Sequence, residues 1–556
     1  MDTPVHRICD SYVDDYVRLQ PTVATELGIP GYDDLLPDLS PDGCAARADL
    51  ARAALRAVGD VEPADDSERD AKAVFTERLG LEVELYDAGL VDGSLNVIAS
   101  APQNLRMVFD LAPADSADDW ARIATRLARL PAAIDGYRAG LLHAAANGNV
   151  SAARQVDKVA EQCAVWAGGA GKASFFADFV AGAADVPDSV RADLDAGARA
   201  AAESYGELAT FLRTELAAKA PAKDAVGEDA YRLWSREYLG AEVDLREAYE
   251  WGWAEFTRIE TEMTEVANRI KPGASLVEAA DALDADPRYQ VRGAAEFREW
   301  MQKLSDRALT DLRGVHFDIP DEIMRLDCKI APPGGSVSAY YTNPSDDFSR
   351  PGAMWWSLPP EKDEFSTWRE VSIVYHEGVP GHHLQIATAT HQERLNRFQR
   401  MLSWVPAHAE GWALYAERLM REFGYLDDDG NLFGMLNENL FRAARVIIDI
   451  GMHLELEIPR GTGFHDGERW TPSLGLEFML DRTITERALV LDEIDRYLGW
   501  PGQAPSYKLG ERLWLSARED ARRRQGADFD LKRFHMHALH MGQMGLDTLR
   551  ERLAAL

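Results

Sequence analysis

Long segments with a helical spacing of apolar residues dominate the first half of this 556-residue chain. In these segments apolar side chains recur every three or four positions among alanine, leucine and arginine, which are strong helix formers. A mostly α-helical fold is therefore predicted, in a chain long enough to bury a large core. The segments are Asp65–Gly89, Ala117–Asn147, Ser151–Ala184, Val186–Ala220 and Glu242–Ile270.

The character of the sequence changes near residue 320, where short segments rich in aromatic and β-branched residues alternate with turn-forming residues. This pattern predicts a small antiparallel β-sheet over residues 324–358. We expect an N-terminal helical region over 1–272 and a second helical region over 273–556 that carries the sheet, in a two-lobed protein with a deep cleft. The predicted strands are Met324–Ile330, Ser336–Thr342 and Gly352–Leu358.

Charge and cysteine content limit the partners and the compartment. Sixty basic residues against 93 acidic residues give a formal net charge of −33, which repels nucleic acid and anionic lipid surfaces and favours small neutral or cationic substrates. The four cysteines are scattered, which argues against a disulfide framework or a cysteine zinc site. The chain shows no signal-peptide pattern and no run of about 20 apolar residues, so we expect a cytoplasmic protein without a membrane partner.

Histidines concentrate in the second half, where the segment YHEGVPGHHLQ, from Tyr375 to Gln385, nearly matches the His-Glu-x-x-His zinc signature. In a continuous helix, residues four apart share a face, whereas residues six apart point about 240° apart. His376 and His382 can therefore bind one ion only if the helix is bulged or broken between them. The intervening glycine and proline residues permit such a break.

A third, anionic ligand is expected from a neighbouring helix. Glu410 lies in the first turn of a helix that is predicted to start at Pro406. His376, His382 and Glu410 are thus predicted to hold one zinc ion per chain, with other divalent metals as alternatives. The competing interpretation is that the Gly-Val-Pro-Gly segment only ends a helix, and that the histidines are partly buried hydrogen-bonding groups.

Several motifs occur together in the second half: YHEGVPGHHLQ, AEGWALYAE, RAARVIIDIGMH, SYKLG and an FH motif at His535. From Gly334 to Leu549 the chain resembles the bacterial family labelled domain of unknown function 885. That family is similar to helical zinc peptidases such as the thermostable carboxypeptidases and the thimet-type oligopeptidases. Those peptidases carry an uninterrupted His-Glu-x-x-His, whereas this chain has two additional residues; dipeptidyl peptidases of the third type have one.

The resemblance implies roles for the remaining residues of the motif. Glu377 would be the general base that takes a proton from zinc-activated water and passes it to the leaving amine. His383 is the alternative to His382 as the second histidine ligand, or a supporting residue. Glu417 lies seven residues after Glu410 on the same helix face, so it either orients a ligand or is a solvated surface glutamate.

Two further residues are candidate catalytic groups. Tyr507, in the SYKLG motif, could donate a hydrogen bond to a tetrahedral oxyanion, or could anchor a loop. His453 shares one helix face with Arg445 and Asp449 at a spacing of four residues. A buried charged stripe of this kind is costly unless it is paired, so we expect an ion-pair network for Arg445 and Asp449. His453 is the member that could reach the active site.

Four residues are candidate substrate-binding groups. Tyr340 and Tyr341 lie on a strand that could pair with an extended peptide, although aromatic strand residues also serve as core. Arg350 could bind a substrate carboxylate through two hydrogen bonds, although its turn is an equally good reason for its presence. Lys508 follows Tyr507 in the SYKLG motif.

These features together predict a zinc-dependent hydrolase, and in particular a metallopeptidase that cleaves small peptides. One alternative is a metal hydrolase that acts on a non-peptide amide or an ester. Another is a peptide-binding protein with a degenerate metal site. Metal content and cleavage of peptides distinguish the three hypotheses.

Overall fold

The computed structural model describes residues 3–169, 173–331, 339–358 and 363–555. Helices make up 67% of the residues and strands 4%, so packing between helices must form the core. The predicted mostly α-helical fold is therefore confirmed. Among the described helices, none is long and apolar enough to cross a membrane.

The predicted helical segments of the first half correspond to helices of the structure. Ser151–Ala184 forms two helices rather than one, and residues 170–172 lie outside the described part of the chain. The helices up to residue 226 are α1 (Pro4–Leu19), α2 (Pro21–Glu26), α3 (Pro41–Gly59), α4 (Asp66–Asp87), α5 (Ala101–Leu111), α6 (Ala117–Ala146), α7 (Ala153–Trp166), α8 (Phe175–Ala181) and α9 (Asp188–Phe211).

The first compact unit comprises Asp2–Val226 together with Asp492–Trp500. Helices α6 and α9 pack extensively against each other in this unit. Leu127 of α6 and Leu194 of α9 are both fully buried in the shared core. Gly197 allows the close approach of the two helices, because a Cβ at this position would lie 2.8 Å from the Cβ of Leu127.

The helices after residue 226 include those that carry the motifs identified in the sequence. They are α10 (Glu228–Leu239), α11 (Leu245–Ile270), α12 (Leu276–Asp284), α13 (Ala294–Leu312), α14 (Thr367–Glu377), α15 (His382–His391), α16 (Pro406–Glu422), α17 (Asp429–Leu454), α18 (Pro472–Arg482), α19 (Arg487–Gly499), α20 (Ser506–Gln525), α21 (Leu531–His540) and α22 (Leu546–Ala554).

The second compact unit comprises Gly227–Leu491 together with Pro501–Leu556. Its start differs from the predicted boundary at residue 272. The physical reason is that α11 packs against α17, where a Cβ on Gly252 would lie 3.0 Å from Val446. Helix α11 therefore contributes to the core of the second unit rather than closing the first.

Three glycines allow helices of the second unit to approach closely. A Cβ on Gly411 of α16 would lie 2.4 Å from the backbone of Gly510 of α20, and a Cβ on Gly434 of α17 would lie 1.9 Å from the carbonyl oxygen of Trp368 of α14. Helices α14, α16, α17 and α20 are thus held together in one bundle.

The short strands are β1 (Gln290–Arg292), β2 (Leu326–Ile330), β3 (Ala339–Thr342), β4 (Gly352–Trp356) and β5 (Glu364–Ser366). β3 and β4 are antiparallel, as are β1 and β5. The predicted small antiparallel sheet is therefore confirmed, with the difference that β2 lies parallel to β4. The reason is the strand order β2-β4-β3: the β3–β4 hairpin places β4, not β3, beside β2. Residues 332–338, including the start of the predicted second strand, lie outside the described residues.

Candidate metal centre

The helix is interrupted between the two motif histidines. α14 ends at Glu377 and α15 begins at His382, with a cis peptide bond between Val379 and Pro380. The indole Nε1 of Trp412, on α16, donates a hydrogen bond of 2.8 Å to the carbonyl oxygen of Pro380. The connecting segment is thereby fixed against α16, the helix that carries Glu410.

Glycine is required at two positions of this connecting segment. A Cβ on Gly381 would lie 1.9 Å from the carbonyl oxygen of His376, and a Cβ on Gly378 would lie 2.7 Å from that of Val374. The amide of Gly381 donates to the carbonyl oxygen of Tyr375 at 3.1 Å. The chain therefore folds back tightly on the end of α14, and this fold-back brings the second histidine to the first.

The structure brings His376, His382 and Glu410 together. Nε2 of His376 lies 3.2 Å from Oε2 of Glu410, and Nε2 of His382 lies 3.5 Å from the same oxygen. The two imidazole rings have centroids 4.8 Å apart and are nearly perpendicular. The histidines are 3% and 6% exposed, and the Glu410 side chain is 15% exposed. The cluster is thus nearly buried.

This geometry fits the coordination of a divalent ion. Ligand atoms bound at about 2.0–2.1 Å to a tetrahedral zinc ion are separated by about 3.3 Å. The two measured nitrogen–oxygen distances bracket that separation, and one candidate ligand atom from each of the three residues lies within 4.8 Å of the other two. Two neutral nitrogens and one carboxylate oxygen are also a donor set that zinc accepts while leaving a position for substrate or water.

Glu417 holds His376 from the side opposite to Glu410. Oε1 of Glu417 lies 2.8 Å from Nδ1 of His376, and the hydroxyl of Ser372 donates to the other oxygen of Glu417. Glu417 is 1% exposed, so it is not a solvated surface glutamate. A carboxylate at Nδ1 orients a ligating imidazole and leaves Nε2 facing the ion. The spacing of Ser372, four residues before His376, is the sequence signal for this support.

Two pKa shifts describe the charge of the metal-free centre. Burial opposes ionisation of Glu410, but the imidazoles of His382 and His376 hold the pKa of its carboxyl well below the usual range. Burial also opposes protonation of His376, but the hydrogen bonds to Glu410 and Glu417 outweigh burial and raise its pKa to about 10. In the metal-free centre His376 is therefore protonated on both ring nitrogens. A metal ion would have to displace the proton on Nε2 to bind there.

Glu377 lies next to the cluster and is 7% exposed. Burial raises the pKa of its carboxyl, although the charges of His382, His376 and Arg442 oppose this shift. Arg442, on α17, is itself 8% exposed. The sequence pattern pointed to Arg445 on this helix but not to Arg442, whose signal is a second basic residue three positions earlier in a mostly apolar stretch.

His383 faces away from the cluster. Its Nε2 lies 2.8 Å from the carbonyl oxygen of Ile323, to which it can donate, and its Nδ1 lies 3.0 Å from the hydroxyl of Tyr341. Burial lowers the pKa of His383 to about 4, so the ring is neutral at physiological pH. Both ring nitrogens are engaged, which leaves His382 as the histidine that accompanies His376.

Tyr341 is likewise committed to the scaffold. Its hydroxyl pairs with His383, and a Cβ on Gly352 would lie 2.0 Å from that hydroxyl. Burial raises the pKa of Tyr341. Tyr340, by contrast, is 41% exposed and stacks on Trp355 of the neighbouring strand, with ring centroids 6.1 Å apart. Of the two predicted substrate-binding tyrosines, Tyr341 is buried and Tyr340 is exposed.

Tyr507 and Lys508 have different environments although they are neighbours. The ring of Tyr507 packs against two guanidinium groups, those of Arg445 at 4.9 Å and Arg442 at 5.8 Å. The amine of Lys508 is fully buried, and it contacts Glu511 and lies 3.0 Å from Glu255. As a correction to the sequence prediction, Lys508 is part of an internal ion-pair network and is not placed to bind substrate.

His453 lies away from the cluster. It is fully buried near the end of α17, and its ring packs against Tyr231 with centroids 5.6 Å apart. Eleven residues separate it from Arg442, which corresponds to about 16 Å along a helix. The structure therefore does not bring His453 to the candidate metal centre. Asp449, on the same face, accepts hydrogen bonds from the hydroxyl of Tyr231 and the amide of Gly502.

Arg350 lies in an exposed turn. Its amide donates to the hydroxyl of Ser345 at 2.9 Å, and its carbonyl oxygen accepts from the amide of the same serine at 3.0 Å. These two hydrogen bonds involve the backbone of Arg350 and stabilise the turn. The guanidinium of Arg350 is exposed and has no demonstrated role at the cluster.

A cavity of about 670 Å³ lies on another side of α14. Val371 and Tyr375 of this helix line it, whereas the ligand-bearing side chains do not. Its wall also includes Tyr289, Trp300 and Tyr425. The cavity is therefore a feature of the bundle that is distinct from the candidate metal centre.

The fold and the site place this chain in the class of helical proteins that have a candidate histidine–glutamate metal centre. Two of its residues are histidines on either side of a helix break, and the third is a glutamate from the next long helix. The chain belongs to the family described as "Bacterial protein of unknown function (DUF885)", whose model matches residues 21–553. The resemblance found in the sequence is thus confirmed for the family and extends over nearly the whole chain. No curated protein matches the chain.

Two solved structures share the fold. One is described as "the putative lipoprotein from Colwellia psychrerythraea", with a TM-score of 0.83 and 22% identity over 99% of this chain and 98% of that chain. The other is "a putative lipoprotein of unknown function from Shewanella oneidensis", with a TM-score of 0.74 and 18% identity over 99% of this chain and 100% of that chain. At these identities the likeness shows the fold alone.

Proposed function

We propose that this protein is a zinc-dependent hydrolase, and specifically a metallopeptidase that cleaves small peptides. The observation that carries the proposal is the meeting of His376, His382 and Glu410, with Glu417 bonded to the far nitrogen of His376. Three ligands of this kind, one of them oriented by a buried carboxylate, are the features of a catalytic zinc site.

A zinc ion bound there supplies Lewis acidity, which activates water for attack near neutral pH. Glu377 accepts the proton of the attacking water as the new carbon–oxygen bond forms, and then delivers it to the nitrogen of the leaving amine, so that the carbon–nitrogen bond breaks. Burial suits Glu377 to both halves of this task, because the raised pKa makes the carboxyl a stronger base than an exposed glutamate.

The burial of the centre restricts its substrates. Because both histidines are less than a tenth exposed, only a small molecule or a narrow, extended peptide can reach them, and we propose that it does so through a deep cleft in a two-lobed protein. The net charge of −33 disfavours strongly anionic substrates. We also propose that Tyr507 donates a hydrogen bond to the oxyanion of the tetrahedral intermediate. A cytoplasmic location is a further part of the proposal.

Digestion of a peptide library tests the proposal. Zinc-loaded wild-type protein should cleave peptides, and Glu377→Gln should lower turnover by at least ~10²-fold, which is the scale for loss of a positioned general base. Cleavage of amide or ester probes alone would replace the peptidase hypothesis by that of a non-peptide hydrolase. Peptide binding without cleavage and without metal would support a binding protein and overturn the proposal.

A further inference from the structure

Two buried arginines lie on α17 at the level where α14 ends. Gly434 of α17 contacts Trp368 of α14 at the backbone. Eight residues further along α17 is Arg442, and nine residues further along α14 is Glu377. At 1.5 Å per residue both steps measure about 12–14 Å, and the charge of Arg442 acts on Glu377. The two helices therefore run in the same direction, and Arg445 lies about one turn beyond the end of α14.

The two guanidinium groups share one aromatic partner. Arg442 and Arg445 both pack against the ring of Tyr507, and Arg445 also packs against Phe441. Stacking of this kind holds a guanidinium in a fixed plane and leaves its edge available for hydrogen bonds. The two guanidinium groups are thus held beside the same aromatic ring, and the charge of Arg442 acts on Glu377.

The guanidinium of Arg442 is incompletely satisfied. Its Nη1 contacts Glu438, which is 21% exposed, whereas its buried Nε has no hydrogen-bond partner among the described residues. Arg442 and Arg445 are 8% and 7% exposed. A buried donor without a partner is costly, so Nε of Arg442 is suited to bind an additional hydrogen-bond acceptor, such as an anion.

We propose that Arg442 and Arg445, which pack against the ring of Tyr507, form a subsite for the free C-terminal carboxylate of a short peptide, which is then cleaved near that end. The inference rests on the proposed function and specifies its substrate class. A guanidinium edge binds a carboxylate through charge-assisted hydrogen bonds, often two at once. A local cationic site is also needed because the net charge of −33 otherwise repels a peptide carboxylate.

A pair of peptides that differ only at the C-terminus tests the subsite. With zinc-loaded wild-type protein, the free acid should be hydrolysed with a kcat/KM at least ~100-fold above that of the C-terminal amide, because a site built for a charged partner rejects an analogue that lacks it. Mass spectrometry should show release of the last residue or residues. Equal kcat/KM for the two peptides would overturn the subsite and leave the hydrolase function standing.

Substitutions identify the residues that cause the preference for a free C-terminal carboxylate. Arg445→Met removes the charge one turn beyond Glu377, so the acid-to-amide ratio of kcat/KM should fall at least ~10-fold, with Arg445→Lys intermediate because lysine cannot form the bidentate pair. Arg523→Met, at a side chain of α20 that is 78% exposed, is the matched control and should leave the ratio unchanged. Loss of the ratio in Arg350→Met instead would place the carboxylate at the exposed turn and contradict the assignment.

Binding provides a readout that is independent of turnover. In the Glu377→Gln background, calorimetry should show the free-acid peptide binding at least ~10-fold more tightly than its amide, and Arg445→Met should abolish the difference. Failure of the zinc-bound wild type to hydrolyse either peptide would overturn the proposed function alone, whereas equal binding of acid and amide would overturn the subsite.

Discussion

Nδ1 of His376 lies 2.8 Å from Oε1 of the buried Glu417, while Nε2 of the same ring faces Glu410 at 3.2 Å. One imidazole therefore bridges two carboxylates that lie two turns apart on α16. This relationship fixes the ring plane of His376 and points its second nitrogen into the candidate metal centre.

Glu417→Gln should weaken zinc binding without abolishing it. The amide keeps the size of the side chain but removes the charge that orients and polarises His376, so the zinc dissociation constant should rise about 10–100-fold. Competition with a fluorescent chelator measures this. Glu422→Gln, on the same helix about 18 Å from Glu410 and paired with Arg518, is the control and should leave the constant unchanged. An equal rise of the zinc dissociation constant in the two variants would contradict the proposal that Glu417 orients His376.

His382→Ala and His383→Ala should have opposite consequences. The first removes a candidate ligand and should abolish stoichiometric zinc. The second should retain zinc but lower the free energy of unfolding by about 1–3 kcal/mol, because Tyr341 and the carbonyl of Ile323 lose a buried partner. Elemental analysis measures the zinc content of each variant, and denaturant unfolding measures its free energy of unfolding. Retention of zinc by His382→Ala, with loss in His383→Ala, would show that the ligands are reversed.

Gly381→Ala should disturb the centre through the backbone. The added Cβ would lie 1.9 Å from the carbonyl oxygen of His376, so the fold-back must open and move His382 away from Glu410. We expect lower thermal stability and loss of zinc. Gly80→Ala, a helical position with no atom within 4 Å of the new Cβ, should be neutral or slightly stabilising. Wild-type zinc affinity in Gly381→Ala would refute the need for the tight connection.

Zinc binding should release protons. Because the pKa of His376 is raised to about 10 in the metal-free protein, this ring carries a proton at pH 8 that the metal must displace. Calorimetry in two buffers of different ionisation enthalpy should give at least about one proton released per zinc at pH 8. The number of protons released per zinc should fall by about one as the pH rises through 10, because His376 is then already deprotonated. It should also be smaller in Glu417→Gln, which removes one cause of the raised pKa. Absence of proton release at pH 8 would contradict the electrostatics described for His376.

Local pattern was sufficient for much of the fold. Periodicity located α4 and α6 to within a few residues, and the Gly-Val-Pro-Gly sequence indicated the break between α14 and α15. The parallel pairing of β2 with β4 was missed because strand order depends on which strand of the hairpin meets β2, and no local residue encodes that choice. The division of Ser151–Ala184 into α7 and α8 was likewise not apparent from its alanine-rich composition.

The residues of the candidate site that lie within one sequence motif could be predicted. The residues that reach the site only through packing between helices could not. The spacing within the motif pointed to His376 and His382, and the next helix supplied Glu410. The sequence left Glu417 open between two roles, because only packing shows that α16 turns this residue towards Nδ1 of His376. Arg442 was missed because its relation to Glu377 arises from the shared direction of α14 and α17.

Zinc stoichiometry tests the central claim most directly. Protein purified without chelators and supplied with zinc should contain one zinc per chain in the wild type and in Glu377→Gln, since Glu377 acts on water rather than on the ion. Glu410→Ala should lose most of its zinc, because two imidazoles alone hold the ion weakly. A wild type that binds no zinc, or a Glu410→Ala variant that retains one zinc per chain, would contradict the assignment of His376, His382 and Glu410 as the metal centre.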